Sequence, residues 1–444
     1  MSARPLASTA PSPNPFSPDF GQVPDALVGR DDLLADLYEG LDAGPGDSRY
    51  TSILLGVRGS GKTVVLTEAE RHAASCGWIV LSVDAGTNGL LDRISQAIRQ
   101  TPRKYESLDL GGLGGRRTTT GDKSLKVGPY QEKRSEQEVS DPDADMGLRE
   151  ELALLAEKAQ QAGTSVLLTV DELHCADRDE ARRLSNYIQH ITKRSQRPLA
   201  FIGAGLLEMR YTLMEDKRIT FFRRCNRHEM PPLDFADAYK GLRFPILDAG
   251  GSVTEPALEQ AAAAVGDLPY TLQVVGHTAW ALADAPGREI DGHAVSRAVA
   301  IAERTVDENI SEPAFHELAE TEQEYLAALA ALGGSGTMAE IAGRAGTTPK
   351  AAAKTHRRLD LSGYTRRDDG GTVTLTGLVP ARVIARNAPG GGPDPSDGQP
   401  RTARPATAGP TPPTPKRAAC RKWMPRARAY CTQPRDHSGR CRSK

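Results

Sequence analysis

Two kinds of apolar pattern alternate through the first half of the chain. Continuous apolar runs occur at Ile53-Leu54-Leu55, from Val166 to Val170 and in "LAFIGAG" at 199–205, and residues 78–84 read as a further strand. Such runs suit strands buried on both faces of a parallel sheet. Between them the apolar positions recur at helical spacing. Leu33, Leu34, Leu37 and Leu41 form one stripe, and Leu90, Ile94, Ala97 and Ile98 another. Helices are expected from about Thr63 to Gly77 and over 89–100, 146–162 and 178–194. Strands alternating with helices predict a parallel α/β sheet covered on both faces. Residues 101–142 break the pattern: they are polar, glycine-bearing and irregular, and read as an insertion or mobile loop.

From about 237 the texture changes to helices alone. From about 322 it changes again. "EQEYLAALAAL", "TMAEIAGRAG" and "TPKAAAKTHRRLDLSGY" read as three helices, and "YTRRDDGGTVTLT" as two short strands around an Asp-Asp-Gly-Gly turn. Three helices and a β-ribbon predict a winged helix. Residues 388–416 are a Pro/Gly linker that cannot pack a core. The expected organisation is a disordered leader over 1–25, a nucleotide-binding domain over 26–236, a helical domain over 237–315, a winged helix over 316–387, the linker, and a basic Cys/His tail over 417–444.

The chemistry concentrates after the first strand. "GVRGSGKT", residues 56–63, is G-x-x-x-x-G-K-[ST] in a strand–loop–helix setting. Glycines let successive N–H groups turn inward, and the helix that follows points its positive dipole end at the loop. Lys62 is placed to neutralise β- and γ-phosphate oxygens and the Thr63 hydroxyl to ligate Mg²⁺, so the anion is a nucleoside triphosphate. "VLLTVDELH" supplies the second half. Asp171 ends a buried strand aimed at Thr63 and the metal, and Glu172 can polarise the attacking water. His174 is near enough in sequence to reach the γ-phosphate region, yet an ordinary loop histidine reads the same way, and it receives no role at this level.

"LVGRDDLL", "GVRGSGKT", "VLLTVDELH" and "GDLPYTLQVVGHTAW", followed by a winged helix, resemble the AAA+ superfamily over residues 26–387. The nearest likeness is to origin-recognition-like or archaeal-type ATPases, which border on the STAND class of switch ATPases. The resemblance implies that Val28, Gly29 and Arg30 border the adenine. It implies that Gly56, Arg58, Gly59, Ser60, Gly61, Lys62 and Thr63 cradle the phosphates, with Asp171 and Glu172 serving metal and water. It also implies that Gly266 and Pro269 form the turn element of a helical lid. Two departures stand out. The fourth strand ends in Gly203, Ala204 and Gly205, where the family carries a polar sensor, so slow hydrolysis is expected. In "KRITFFRRCNRHEMPPL", Arg223 or Arg224 sits nearest the position of the family's finger arginine, with Arg218 further off and a plain basic helix end as the alternative.

Charge and cysteine content refine the picture. The net charge of -1 hides an asymmetry: residues 401–444 hold twelve Lys or Arg and one acid, Asp436, so the tail is +11 and the rest -12. A basic tail seeks nucleic acid or another polyanion, or simply solubilises the chain end. The third helix of the winged module offers Lys350, Lys354, His356, Arg357 and Arg358, and its ribbon Arg366 and Arg367, as DNA contacts. The six cysteines form no disulfide framework, no run of 18 apolar residues exists, and the N-terminus lacks a secretory h-region. A cytoplasmic protein that stays off membranes is therefore expected. The function expected is an ATP-hydrolysing, ATP-dependent homo-oligomeric switch that acts on DNA in replication, transposition or transcription control. The alternative is a STAND-like signalling ATPase that binds protein partners only.

Cys420, Cys431, His437 and Cys441, spaced C-x10-C-x5-H-x3-C, make a tetrahedral Zn²⁺ set in a segment too short to build a core. The alternative is a basic tail with reduced, unliganded thiols. Elemental analysis separates them: the zinc reading expects bound zinc in the full chain and none in a chain ending at Ala419. Equal zinc in the two, or none in either, removes the site.

Overall fold

The computed structural model describes residues 13–18, 27–86, 89–105, 142–194, 197–283 and 289–388, and the strand residues 423–424 and 429–430. The chain divides into two units, residues 1–394 and 395–444.

The first unit is built on five parallel strands: β1 (Thr51–Leu55), β2 (Ile79–Asp84), β3 (Val166–Asp171), β4 (Leu199–Gly205) and β5 (Asn226–Glu229), in the order β2-β3-β4-β1-β5. The three central strands are the continuous apolar runs, because each is covered on both faces. Alternate residues serve the two sides. Leu54, Leu167, Ala200 and Ile202 pack under α1 (Asp31–Ala43) and α2 (Lys62–Ser75). Ile53, Leu55, Val166, Leu168 and Phe201 pack against α3 (Leu90–Lys104), α4 (Pro142–Gln161) and α5 (Arg178–Gln189). The helix expected over 178–194 is α5 plus a π-turn over His190–Arg194. Residues 106–141, the bulk of the expected insertion, lie outside the described residues, while α3 and α4 extend into both of its ends.

β5 was invisible as a strand because "NRHE" is polar. It is an edge strand, and His228 is its one buried side chain. It follows the short α6 (Met209–Thr212) and a 3-10 turn over Phe222–Arg224. The basic stretch read as a possible helix end is thus this turn and the strand it feeds.

The helical layer comprises α7 (Phe235–Asp248), α8 (Glu255–Val265), α9 (Pro269–Leu282) and α10 (Gly292–Val306). It is not all helix: β6 (Ser252–Val253) pairs in parallel with β7 (Glu289–Ile290). Within the stretch expected as a leader, residues 13–18 pack against the helical layer. Phe16 is only 2% exposed and packs into the helical core. Gly276 makes the slot, since a Cβ there would lie 2.5 Å from the Phe16 ring. Asn14 donates to the His277 carbonyl (3.0 Å), and the Ser17 N–H donates to Gln273 Oε1 (3.0 Å). Burying such an aromatic stabilises by about 1.5–3 kcal/mol, which offsets part of the entropy cost of ordering the segment.

After α11 (Glu312–His316), three helices and a three-stranded antiparallel sheet share one core: α12 (Glu320–Ala331), β8 (Ser335–Thr337), α13 (Met338–Arg344), α14 (Pro349–Leu361), β9 (Thr365–Arg367) and β10 (Thr372–Leu375), closed by α15 (Ala381–Asn387). Sheet order is β8-β10-β9. The ribbon β9–β10 was legible, whereas β8, only "SGT", was not. Buried Asp307 takes a two-pronged bond from Arg382, with both contacts at 2.8 Å. In the second unit, β11 (Trp423–Met424) pairs antiparallel with β12 (Ala429–Tyr430). Cys420, Cys431, His437 and Cys441 lie outside the described residues.

Buried His228 and His356 both have their pKa pushed below 6.5 by desolvation, so each is neutral when folded and gains a proton more readily when unfolded. Their contribution is present above the ordinary imidazole value and is lost as pH falls below it. Denaturant unfolding should show stability declining as pH falls from about 7 toward 5.5, and a His228→Gln/His356→Gln chain should show a shallower decline.

Candidate nucleotide site

The strand order places the carboxyl ends of β1, β4 and β3 side by side. From β1 the chain enters the loop Gly56–Gly61. Gly59 (φ 75°) and Gly61 (φ 87°) take the left-handed conformation that lets the loop curl and α2 begin at Lys62. Gly56 admits no side chain either: a Cβ would lie 2.5 Å from Ser60 Oγ.

Lys62 is only 6% exposed. Its Nζ donates to the carbonyls of Gly56 (3.2 Å) and Val57 (3.0 Å). Desolvation lowers its pKa, opposed by the fields of Glu172 and Asp171. A buried ammonium held by two carbonyls is a cation prepared for an anionic ligand. The Thr63 hydroxyl donates to Asp171 Oδ2 at 2.6 Å, so the loop and the end of β3 meet as the sequence predicts. Asp171 Oδ1 accepts the Glu172 N–H (2.8 Å).

Glu172 has φ 50° and is the only non-glycine residue with positive φ among the described residues. Such a conformation costs on the order of 1–3 kcal/mol and clusters at working sites. Burial raises its pKa, against the pull of Lys62. His174 Nδ1 lies 3.3 Å from Glu172 Oε2, and His174 Nε2 lies 3.4 Å from Cys175 Sγ. Burial, helped by Lys62 and Arg58, lowers the His174 pKa to about 4, so the ring is neutral. Burial raises the Cys175 thiol pKa.

The pocket over the loop is lined by Arg58 to Val64, Glu172, Leu27, Val28, Arg30, Pro269 and Tyr270, and by Ser17 and Pro18 of the N-terminal segment. Arg30, 2% exposed, donates to the carbonyls of Gly29 (2.9 Å) and Ser60 (3.1 Å), tying the segment before α1 to the loop. Gly29 (φ 68°) leaves room for Asp237, whose carboxylate would lie 2.7 Å from a Cβ. Pro269 opens α9 at the pocket wall, and the Tyr270 N–H donates to the Gly59 carbonyl (3.3 Å). Gly56 and Gly266 belong instead to a second cleft shared with Met230, Leu207 and Gly363. Gly266 ends α8, so its contribution is the turn that aims Pro269.

Contacts from Glu317, Ser362 and Gly363 reach the loop and the neighbouring α6, and sequence reasoning missed them. Arg58 Nη2 bonds both oxygens of Glu317 (2.7 and 2.9 Å). Gly363 packs on Val57 and Leu207, and Tyr211 Oη meets Ser362 Oγ at 2.6 Å. The partners lie more than 150 residues apart, and no local pattern announces them. Arg223 and Arg224 are exposed and do not line their own chain's pocket. Arg218 is taken by Asp216 (3.2 Å). Among the described residues no helix is long and apolar enough to cross a membrane.

Residues 26–202 match the family model of the AAA ATPase domain. No curated protein matches the chain. Among solved structures, it is similar to a Walker-type ATPase of Pyrococcus abyssi at 16% identity and a TM-score of 0.57, covering 81% of this chain and 96% of that one. It is also similar to the Aeropyrum pernix ORC2 protein, solved as ADPNP and ADP complexes, at 17% identity and a TM-score of 0.55, covering 83% and 95%. The family match and the site geometry together show that residues 26–202 are an AAA ATPase domain, in a chain that shares its fold with these two proteins.

Proposed function

We propose that the chain is a Mg²⁺-dependent ATPase switch that acts on DNA through its C-terminal domain. The observation that carries the ATPase half is the Thr63–Asp171 hydrogen bond, formed beside buried Lys62 and strained Glu172. Lys62 and the loop N–H groups hold the β- and γ-phosphates. Thr63 and Asp171 would hold Mg²⁺, which would supply positive charge to offset that of the phosphates. The paired oxygens of the two residues suit a hard divalent ion. Glu172 accepts a proton from the attacking water, and Val28 and Arg30 border the base.

The switch reading is supported by the Arg58–Glu317 pair. A phosphate arriving at the loop competes with Glu317 for Arg58, so nucleotide state bears directly on the C-terminal domain. That domain is read as a winged helix. Lys350, Lys354 and Arg357 on α14, with Arg366 and Arg367 on β9, are exposed for phosphate contacts. Two of the basic positions expected there are spent internally. His356 is buried, meeting Thr365 Oγ1 at 3.3 Å, and Arg358 pairs with Glu322 (3.0 Å). The +11 tail, read as a zinc module, adds nucleic-acid affinity. Exposed Arg223 or Arg224 would complete a neighbouring copy's site in an ATP-dependent homo-oligomer. The same docking of the C-terminal domain on the loop favours the second reading, a signalling ATPase with protein partners.

Lys62→Ala should weaken ATP binding roughly 100-fold, as for truncating one member of a buried charged pair. Glu172→Gln should keep ATP affinity and lose about 100-fold or more in phosphate release. Full turnover in Glu172→Gln removes it as the base.

DNA binding should weaken linearly in log salt, by about 0.9 per phosphate contact, and should persist in a chain ending at Ala388. It should fall in that chain when Lys350, Lys354 and Arg357 become Ala. No DNA binding by the shortened chain favours the protein-partner reading.

For assembly, Ala at the true finger should lower turnover with ATP affinity kept, and mixing with Glu172→Gln should restore part of it. Turnover independent of protein concentration in a monomer excludes a finger in trans.

A further inference from the structure

β4 lies between β1 and β3, so its carboxyl end faces the space between Lys62 and Glu172. A polar side chain there could steady the water that Glu172 activates. The chain has glycine and alanine instead, and the glycines let other groups come close. A Cβ at Gly205 would lie 3.3 Å from the His174 backbone nitrogen and 3.6 Å from its Cβ. A Cβ at Gly203 would lie 2.8 Å from Leu173 Cδ2. The 3-10 turn Leu173–Cys175 is thus seated on the bare end of β4, and it brings His174 with it.

The imidazole is set with its chemistry facing Glu172. Its side chain is 7% exposed, and Nδ1 is buried without a hydrogen-bond partner, though Glu172 Oε2 is only 3.3 Å away. Leaving a buried donor unpaired costs about 1–3 kcal/mol. On the opposite edge, Nε2 is 3.4 Å from Cys175 Sγ. A thiol donating to Nε2 fixes the tautomer, because a neutral ring then carries its proton on Nδ1.

We propose that His174 supplies the polar group that β4 lacks: its Nδ1–H holds the Glu172 carboxylate in position for the attacking water, with Cys175 setting the tautomer. His174 is a positioning residue acting through Glu172, and its role rests on the ATPase reading of this site. No bond is made or broken at the ring. The one hydrogen bond it is proposed to donate is not made in this structure, where Nδ1 and Glu172 Oε2 stand 3.3 Å apart, within reach of a small turn of either side chain. The arrangement differs from a sensor on the strand itself, since the donor and the base share one turn and move together.

The test is steady-state ATP hydrolysis and ATP affinity of the full chain, with thermal unfolding in parallel. His174→Leu keeps the packing and loses the donor. It should lower kcat roughly 10–100-fold, the range for removing a group that orients a working one, with ATP affinity within about twofold. His174→Asn places an amide N–H near Nδ1 and should recover most of the loss. Cys175→Ala, at an exposed position, should lower kcat about two- to tenfold. Wild-type kcat in His174→Leu, with Glu172→Gln inactive, overturns the role of His174 and leaves the ATPase site standing. Equal losses in the Leu and Asn variants, both unfolding like wild type, overturn the Nδ1–H assignment. Unchanged kcat in Cys175→Ala overturns the tautomer assignment. Normal turnover in Glu172→Gln overturns the site reading and this role with it.

Discussion

The hydrogen bond between Thr63 and Asp171 is the contact on which the site turns. It joins the first turn of α2 to the end of β3, elements 108 residues apart in sequence. It forms because parallel pairing aligns the strand ends, with Leu55 opposite Gly205 on one side of β4 and Val170 opposite Gly203 on the other. Once the register is set by apolar residues that must face their own side of the sheet, the phosphate loop and the carboxylates face one space. A one-residue slip in β3 would send its buried residues to the wrong face and carry Asp171 away from Thr63.

That geometry sets what can be built around it. The space at the end of β4 is narrow, and the glycines there let the turn after β3 sit close. The loop itself is short of freedom on its other side, where Arg30 and Tyr270 bond its backbone. The Arg58–Glu317 pair and the Val57–Gly363 packing tie the loop to the helices after residue 312. The ion pair is partly exposed and worth little as stabilisation. Its importance is that one partner sits in the phosphate loop, so the pair can be exchanged for another anion.

The sequence made some of this readable and hid the rest for physical reasons. The central strands were legible because burial on both faces demands unbroken apolar runs. Residues 56–63, 171 and 172 were legible because phosphate and metal chemistry tolerates few residue types at that spacing. β5 was hidden because an edge strand needs only one buried side chain, here His228. Phe16 was hidden because its pocket is made by Gly276, far along the chain. His356 looked like a DNA contact by its charge, yet its position on α14 turns it inward toward Tyr325 and Thr365. The role of Gly205 was half legible. The missing polar side chain showed in the sequence, but the group packed against the vacancy did not.

The most direct test of a single Mg²⁺–ATP site built from Thr63 and Asp171 is equilibrium ATP binding, measured with and without Mg²⁺, in the native chain and in Asp171→Asn. The account predicts one ATP per chain, bound more tightly with Mg²⁺ present, and loss of most of that Mg²⁺ dependence in the variant. An Asp171→Asn chain whose ATP affinity responds to Mg²⁺ as the native chain's does would contradict it.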